Sequence, residues 1–407
     1  MFSSGALSDV KVIDLTQMLA GPFCTQVLAD QGARIVKVEP INGEGMRRTG
    51  PFLADDKLRS FGGYFQSVNR NKASIALDLK NPEGREVLKE LVATADVVVE
   101  NFRGGVMERL GLSYEELAKI NPALVYATVR GFGDRRSGES PYYEWPAYDV
   151  VAQAMGGIMG ITGPSPEQPT KIGPGVGDTV PALMLAIGIL SAVHHARRTG
   201  EGQFVDVSMV DCILALTERI VYQHSYEGHS PVPEGNKHPL LCPFGLFRTK
   251  DGWVSIACAT DELWRELAHA FGRADLAESA ECATNAARVR NAGLVIQSLE
   301  EFTRQKTKDE LKVILGGRVP FGPVYTADDV FHDEHFRSRD MLVEIDHPGS
   351  QQRVTITGVP IKLSKTPGGI GRRAPTVGED TDAILREIGM SSDRIERLRK
   401  SGAVAGA

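Results

Sequence analysis

Residues 10–40 read VKVIDLTQMLAGPFCTQVLADQGARIVKVEP, and this stretch decides the fold. VKVIDL at 10–15 and RIVKVEP at 34–40 are short apolar runs typical of buried strands. Between them, GPFCTQVLADQGA at 21–33 predicts a helix, with Pro22 suited to the first helical position. A strand, a helix and a second strand in this order form one right-handed crossover unit with parallel strands.

The same alternation continues to about residue 130. Three further apolar runs predict strands: ASIALDL at 73–79, DVVVENF at 96–102 and ALVYATV at 123–129. Helical stretches separate them, one opened by Asn81–Pro82 and the next by a capping box at Ser113. Five strands spaced by helices predict an α/β fold, with a Rossmann-like doubly wound parallel sheet in a large domain.

The first strand-to-helix turn lacks the glycines of a dinucleotide site. Asp14 and Glu39 stand at the ends of the first two strands, which superficially resembles a Rossmann half. The turn itself reads TQMLAGP at 16–22 in place of GxGxxG, and those glycines are what let a backbone approach a pyrophosphate. The sequence therefore argues against NAD or FAD as a cofactor.

Composition divides the rest of the chain. A helix from about 180 to 198 is apolar on nearly every side, which predicts a central position. From 224 the chain is rich in Pro, Gly and His; then come a hairpin turning at Asp251–Gly252 and a helix capped by Asp261. We therefore expect the first part of the large domain at 1–223, a linker and small α+β domain at 224–335, and a return to the large domain at 336–407.

The totals disfavour several classes of function. The 407 residues carry a net charge of −6, so we expect no nucleic-acid partner. The sequence shows no secretory signal pattern, and the apolar run Val180–Val193 is too short to span a bilayer. Five scattered cysteines without a CxxC predict reduced cytoplasmic thiols, with neither disulfides nor a zinc site. HExxH, GxSxG and P-loop motifs are absent, so we expect no metal and no serine-hydrolase chemistry.

Candidate ligand-binding residues follow the predicted strands at the edge where parallel sheets bind ligands. They are Gln17 to Ala20 after the first strand, Lys80 beyond Leu77 after the third, Asn101, Phe102 and Arg103 after the fourth, with Arg109 one short helix on, and Arg130 after the fifth. Such a crevice offers cations, an amide and an aromatic ring to an anionic ligand. The other interpretation is that the cations are solvated loop charges.

One acid stands apart in KIGPGVGDTVPALMLAIGIL at 171–190, where a glycine-rich turn meets the apolar helix. Asp178 fits a helix N-cap, because an Asp carboxylate accepts hydrogen bonds from first-turn N–H groups. It also fits a reacting carboxylate held where charge is favoured. These residues alone leave both interpretations open.

The chain resembles the class III CoA-transferases, the family of formyl-CoA transferase and the carnitine CoA-transferase. The resemblance runs through nearly the whole chain and rests on six blocks in one order: DLTQMLAGPFCTQVLADQGARIVKVEP, NRNKASIALDLKNPEGREVL, ADVVVENFRGGVMERLGL, YDVVAQAMGG, GDTVPALMLAIGIL and RRTGEGQFVDVSMVD. It implies that two chains form a homodimer of interlocked rings, with no membrane partner.

The resemblance implies that Asp178 is the nucleophile. Its carboxylate, which we expect to stay ionised at a helix N-terminus, would attack an acyl-CoA to give an anhydride and then an aspartyl-CoA thioester. Backbone N–H groups near Gly173, Gly175 and Gly177 would approach the oxyanion. Coenzyme A is a substrate here, and no cofactor is implied. The family's CoA contacts fall on Leu19, Ala20, Leu77, Lys80, Asn101, Phe102, Arg103, Arg109 and Tyr148.

Three features depart from formyl-CoA transferase. A basic residue that stacks on adenine there is Pro40 here, and a lysine ahead of the YDVVAQ block is Pro146. The glycine run of the small domain is missing, and GNKHPLLCPFG at 235–245 is closer to the carnitine-type branch. The adenine and phosphate contacts at the two prolines must therefore come from other groups.

An α-methylacyl-CoA racemase shares the implied fold and is the competing interpretation. Its histidine base lies in a GHD-like block, matched here by Ala147, Tyr148 and Asp149, so a two-base proton transfer lacks its imidazole. We therefore expect CoA transfer between an acyl-CoA and a carboxylic acid. We expect acyl groups of small dicarboxylic acids, such as succinyl or mesaconyl. The residues available to hold the second carboxylate are Arg47, Arg48, Lys237 and His238. A carnitine-type acid is the alternative.

Overall fold

A computed structural model describes residues 5–406 of the chain. Its strands, in chain order, are β1 (Lys11–Asp14), β2 (Arg34–Glu39), β3 (Lys72–Leu77), β4 (Val97–Glu100), β5 (Val125–Arg130), β6 (Phe204–Ser208), β7 (Phe244–Arg248), β8 (Trp253–Ala257), β9 (Phe321–Pro323), β10 (Leu342–Asp346), β11 (Arg353–Thr357) and β12 (Val404–Ala405).

The helices, in chain order, are α1 (Ala20–Asp30), α2 (Gly63–Val68), α3 (Pro82–Val92), α4 (Val106–Arg109), α5 (Tyr114–Ile120), α6 (Asp149–Met155), α7 (Val176–Thr199), α8 (Met209–Leu216), α9 (Arg219–Glu227), α10 (Asp261–Ala270), α11 (Ala274–Glu278), α12 (Asn285–Arg290), α13 (Ala292–Thr303), α14 (Lys308–Leu315), α15 (Ala327–His332), α16 (Glu334–Ser338), α17 (Thr381–Glu387) and α18 (Ser392–Lys400). Short 3₁₀ turns occupy Gly45–Arg48 and Ile158–Ile161.

The first compact unit contains residues 5–158, 171–229 and 335–406. Its central sheet has the order β12-β3-β2-β1-β4-β5-β6, and β1 to β6 are parallel. Apart from β12, this is the 3-2-1-4-5-6 order of a doubly wound fold, so the predicted α/β sheet is confirmed. The sequence did not indicate β12, which pairs antiparallel with β3 at the edge of the sheet.

Apolar clusters cover the two faces of this sheet. One face packs against α3, α5, α17 and α18, and it includes Leu88, Leu117 and Leu398. The other face packs against α1, α7 and α8, and it includes Leu28, Leu185 and Ile213. Strands covered on both faces need apolar side chains in both directions, which is why β3, β4 and β5 are buried at every position.

The second unit contains residues 159–170 and 230–334. It has a three-stranded antiparallel sheet, β7-β8-β9, packed with helices around a core that includes Trp264. The predicted hairpin between β7 and β8 is confirmed, and Gly252 turns it at φ +152°. Thr260, not Asp261, caps α10, because the Thr260 side chain accepts the Leu263 N–H while Asp261 is already helical. Residues 159–170 were expected in the large domain, whereas here they belong to this second unit.

Helix α7 was expected to be central, but one of its faces is exposed. Leu183, Met184, Ile187 and Leu190 lie on one exposed stripe, and Ile187 is 61% exposed. The opposite side of α7 packs against the sheet and α1. At 24 residues, α7 is also long and apolar enough to cross a membrane by length and composition, which the shorter run Val180–Val193 did not indicate. Helices that form part of a core pass the same test.

The five cysteines carry no disulfide. Cys24, Cys212, Cys242, Cys258 and Cys282 are all buried and all free. Burial raises the pKa of Cys258 to about 12 and that of Cys212 to about 11, so these thiols stay protonated and unreactive near neutral pH.

Candidate active site

The loop after β1 is held by the buried carboxylate of Asp14. The Asp14 carboxylate accepts hydrogen bonds from the Thr16 N–H at 2.9 Å and the Thr25 hydroxyl at 2.6 Å. Its ion pair is Lys72, whose Nζ lies 3.0 Å away, and both side chains are fully buried. Burial alone would raise the pKa of Asp14, but the Lys72 and Lys37 ammonium groups outweigh it and lower the pKa, so the carboxylate stays charged.

A second buried ion pair holds the next residues of this loop. Lys37 Nζ lies 2.8 Å from Glu44 and donates to the Thr16 carbonyl at 2.9 Å. The other oxygen of Glu44 accepts the Met18 N–H at 3.0 Å. Met18 has φ +69°, a left-handed conformation that is unusual for a residue with a side chain. These contacts therefore hold the loop in a conformation that it would not adopt alone.

The end of β4 is tied to the same loop. The Asn101 side chain accepts the Gln17 N–H at 2.8 Å and donates to the Gln17 carbonyl at 2.7 Å. The Glu100 carboxylate accepts the Phe102 N–H, while Arg130 pairs with Glu100 and donates to the Phe102 carbonyl at 3.1 Å. Arg130 is thus occupied by carboxylates and positions the neighbouring backbone.

Two cavities open at the carboxyl ends of the strands. The first, of about 300 Å³, is mainly apolar and is lined by Leu15, Gln17, Val38, Glu39, Pro40, Leu77, Asp78, Leu79, Lys80, Phe102, Val106, Arg109 and Leu110. The second, of about 450 Å³, is lined by Gln17, Met18, Ala20, Asn101, Phe102, Arg103, Gly104, Arg109, Val129, Arg130, Gly131, Phe132, Tyr143, Glu144, Trp145, Pro146, Ala147, Tyr148, Asp178 and Met209. Gln17, Phe102 and Arg109 line both, so the cavities adjoin.

These cavities bring together nine of the ten site residues indicated by the sequence. Leu77 and Lys80 lie in the first cavity, and Phe102 and Arg109 lie in both. The second cavity adds Ala20, Asn101, Arg103, Tyr148 and Asp178. Leu19 lines neither cavity; it precedes α1, and its side chain packs beside Gly175 at the start of α7.

Three cations at these cavities are free of carboxylate partners within residues 5–406. They are Lys80, Arg103 and Arg109, all of them exposed. In contrast, Arg136 nearby pairs with Glu115 and Asp134. Positive side chains that face a cavity without a protein counter-ion favour an anionic ligand there.

Asp178 is the third residue of α7 and not its N-cap. The N-cap is Gly175, and α7 starts at Val176, earlier than the sequence indicated. Asp149 of α6 supplies the cap instead, since its carboxylate accepts the Gly177 N–H at 2.8 Å. A Cβ on Gly177 would lie 2.5 Å from the Asp149 carbonyl oxygen, so only glycine allows this approach. The Gly177 N–H is therefore already used and is not free for an oxyanion.

The expectation that Asp178 stays fully ionised is wrong. Burial, followed by the neighbouring Asp149 carboxylate, raises the pKa of Asp178 to about 7. Its carboxylate accepts no hydrogen bond from any described residue, whereas Asp149 receives those of Gly177 and Gln153. The positive end of the α7 dipole therefore stabilises mainly the Asp149 carboxylate, which accepts the Gly177 N–H.

Two groups beside Asp178 were missed at the sequence level. Asp149 lies in the YDVVAQ block, but nothing local indicates that it caps a helix 27 residues later. Tyr64 of α2 is the second, because burial and the fields of Asp178, Asp149 and Glu44 raise the pKa of its phenol. Only long-range packing brings α2 to the acid pair, so no sequence signal marks Tyr64.

The four residues expected to hold a second carboxylate are divided between the two units. Arg47 is buried and pairs with Glu39, with Nη2–Oε2 at 2.6 Å and Nε–Oε1 at 2.7 Å. Arg48 is exposed and lines neither cavity. Lys237 and His238 belong to the second unit, where Lys237 lines a pocket together with Glu300 and Glu301. Arg47 is thus wrong as a substrate ligand, because its guanidinium is already paired.

Comparison with known proteins gives consistent matches. Residues 7–381 match the model of CoA-transferase family III. The chain is 46% identical over 394 residues to the succinyl-CoA:mesaconate CoA-transferase of Haloarcula hispanica, which covers 96% of this chain and 99% of that protein. It is 36% identical to the succinyl-CoA–D-citramalate CoA-transferase of Chloroflexus aurantiacus, over 97% of this chain and 96% of that protein. A solved CAIB/BAIF family protein from Brucella suis superimposes with a TM-score of 0.84 at 36% identity, over 95% of this chain and 100% of that chain.

The raised pKa of Asp178 makes a prediction about stability. An ionised Asp178 disfavours the folded state, and since the pKa is about 7 in the fold against 3.8 for an ordinary Asp, this penalty grows as pH rises from about 4 to about 7. Asp178→Asn removes the charge, so it should stabilise the protein at about pH 8.5 by at most about 4 kcal/mol, and by about half as much at about pH 5.5. Calorimetric melting temperatures at both pH values measure this difference.

Asp393→Asn is the matched control, because Asp393 is an exposed first-turn carboxylate of α18. It should lower stability slightly, by about 0.3–1 kcal/mol, since a helix N-terminus favours a negative charge. An Asp178→Asn variant with the same melting-temperature shift at both pH values would contradict the raised pKa.

Proposed function

This chain belongs to CoA-transferase family III, and we propose that it moves coenzyme A from succinyl-CoA to a small dicarboxylic acid such as mesaconate. The observation that carries the proposal is the cavity that joins Asp178 to the unpaired cations Arg103 and Arg109. Relatives named for succinyl-CoA with mesaconate and with D-citramalate support the donor and the class of acceptor.

The proposed chemistry begins with the ionised carboxylate of Asp178. It attacks the thioester carbonyl of succinyl-CoA, the C–S bond breaks, and a mixed anhydride and a CoA thiolate result. The thiolate then attacks the aspartyl carbonyl of the anhydride, which releases succinate and leaves an aspartyl-CoA thioester. The acceptor carboxylate repeats the two steps in reverse, so Asp178 is regenerated and the new acyl-CoA leaves.

The charge around Asp178 supports this role. Its carboxylate accepts no hydrogen bond from any described residue, so its lone pairs are free to attack. Formation of the anhydride, and then of the thioester, removes the negative charge of Asp178. The repulsion from Asp149 disappears with that charge. Burial and the Asp149 charge, which together raise the pKa of Asp178, therefore favour the covalent intermediates over the resting anion.

Coenzyme A would extend along both cavities. The apolar first cavity, walled by Pro40, Leu77 and Phe102, suits the adenine ring. Lys80, Arg103 and Arg109 would face its phosphates, and the thioester would reach Asp178. Leu19, Ala20, Asn101 and Tyr148 would complete the contacts to the chain between phosphate and sulfur.

The racemase alternative differs from the transferase in the bases that it needs. No histidine lines either of the two cavities in the part of the chain that the structure describes. Abstraction and return of an α-proton from opposite faces needs a second base beside Asp178 or Asp149. The transferase mechanism needs only one protein carboxylate, which favours it over the racemase. A carnitine-type acid stays an alternative acceptor for the transferase.

A homodimer is proposed on the exposed apolar stripe of α7. Leu183, Met184, Ile187 and Leu190 form a face that a second copy of this chain would cover. Helix α9 adds exposed apolar side chains, Val221 and Tyr222 among them. We also propose interlocked rings for the two chains, from the resemblance to the family, and a cytoplasmic location, which suits five thiols without a disulfide.

Asp178→Asn should abolish transfer while the protein stays folded. The amide cannot attack a thioester, so kcat should fall on the order of 10⁴-fold or more. Wild-type protein mixed with succinyl-CoA alone should accumulate the aspartyl-CoA thioester, and hydroxylamine should convert it to a hydroxamate at residue 178. Peptide mass spectrometry detects that modification, and Asp393→Asn serves as the active control. A transfer-competent Asp178→Asn variant would exclude the nucleophile role.

A panel of acceptors separates the substrate classes. With succinyl-CoA as donor, mesaconate, citramalate and malate should be turned over, and carnitine-type monocarboxylic acids should not, because the relatives that support the proposal are named for the dicarboxylic acids mesaconate and D-citramalate. Chromatography of the acyl-CoA products measures each reaction. Turnover confined to monocarboxylic acceptors would overturn the dicarboxylate proposal and leave the family assignment intact.

The dimer should persist on dilution. Threaded chains separate only after unfolding, so their association is kinetically stable. Sedimentation velocity through the micromolar range should show a single species of about twice 44.1 kDa. A monomer at these concentrations would refute the interlocked arrangement.

A further inference from the structure

In the turn at 102–105, two glycines allow the side chains of Tyr143 and Arg109 to approach the backbone closely. A Cβ on Gly104 would lie 2.1 Å from the hydroxyl oxygen of Tyr143. A Cβ on Gly105, which has φ +79°, would lie 2.9 Å from Nη1 of Arg109. Since side chains at either position would collide, the turn lets a phenol and a guanidinium pack directly against its backbone.

The Tyr143 hydroxyl lies against Gly104 at the second cavity and has no hydrogen-bond partner among the described residues. Tyr143 lines the 450 Å³ cavity together with Arg103 and Arg109. Among residues 5–406 no hydrogen bond involves its hydroxyl, although other phenols such as Tyr325 have one. Burial raises the pKa of Tyr143 above its ordinary value, so the hydroxyl remains a proton donor across the neutral range.

The ring of Tyr143 is also contacted by a guanidinium. The Arg135 guanidinium stacks over the ring at 4.2 Å from its centroid and pairs with Glu144 at 3.1 Å. This contact restricts the phenol ring, and the hydroxyl end lies on Gly104. The hydroxyl is therefore positioned in advance, which reduces the entropy lost when it binds a ligand.

We propose that Tyr143 is a ligand-binding residue whose hydroxyl donates a hydrogen bond to the diphosphate of coenzyme A, beside Arg103 and Arg109. This inference rests on the proposed function, because it takes coenzyme A as the ligand. It also supplies a phosphate contact in a wall of the cavity where Pro146, three residues further on, offers no donor.

The placement favours the diphosphate over the other parts of coenzyme A. Arg109 lines both cavities and so marks their junction. With the adenine in the apolar cavity and the thioester at Asp178, the group at this junction is the diphosphate. Tyr143 and Arg103 lie on the Asp178 side of that junction and face the same group. A hydroxyl and two guanidinium groups form the donor set that phosphate oxygens require.

Tyr143→Phe tests this contact, since it keeps the ring stacked on Arg135 and removes only the hydroxyl. Calorimetry with coenzyme A and 3′-dephospho-coenzyme A, and displacement calorimetry with pantetheine, gives three dissociation constants. Loss of a hydrogen bond to a charged group should weaken the first two about tenfold and leave pantetheine unchanged.

Tyr142→Phe is the matched control, because it removes a hydroxyl from the preceding residue, whose ring packs on Phe132 and Trp145 and does not line this cavity. It should bind all three ligands like the wild type. Arg109→Ala is the positive reference and should also weaken the two phosphate-bearing ligands.

Three results would overturn the assignment of Tyr143. They are wild-type affinity in Tyr143→Phe, an equal loss for pantetheine, and a loss for coenzyme A that spares 3′-dephospho-coenzyme A. Each of them leaves the proposed function standing if the wild type binds coenzyme A. A wild-type protein that binds none of the three ligands would instead refute the proposed function itself, and the inference with it.

Discussion

Two buried ion pairs, Asp14–Lys72 and Lys37–Glu44, fix the loop on which the candidate site is built. They hold Thr16 and Met18 through both backbone and side-chain contacts, and Met18 stays in a left-handed conformation. Buried ion pairs contribute little net stability, because desolvation offsets their attraction, but they define one arrangement of the groups around them. A loop held in this way gives Gln17 and Leu19 fixed positions, one facing the two cavities and the other beside α7.

Charge is separated along the cavities in a way that suits a long anionic ligand. The chain carries a net charge of −6, so its overall field does not attract an anion, and the local cations must do so. Lys80, Arg103 and Arg109 remain without carboxylate partners in the described residues, whereas Arg130, buried between Glu100 and Asp134, is neutralised. At the other end lie two acids, Asp149 and Asp178, and burial together with the Asp149 charge raises the pKa of Asp178.

Glycines decide how closely these groups approach one another. Gly177 lets Asp149 reach the first turn of α7, and Gly104 lets the Tyr143 hydroxyl reach the turn after β4. In both places the neighbour is a polar group from a distant part of the chain, so the role of the glycine is visible only from its partner. The expectation that glycines around Asp178 present free N–H groups fails at Gly177 for this reason, because Asp149 already takes that N–H group.

The sequence by itself determined the parallel sheet and the set of residues at the strand ends, because apolar periodicity and right-handed crossovers are local rules. It also indicated Asp178, through a block whose residues are contiguous. Only the tertiary structure decided that Arg47 is paired with Glu39, that Asp149 caps α7, and that one face of α7 is exposed. Ion pairing, capping and burial of this kind depend on which distant residues meet in space, and a linear pattern does not carry that information.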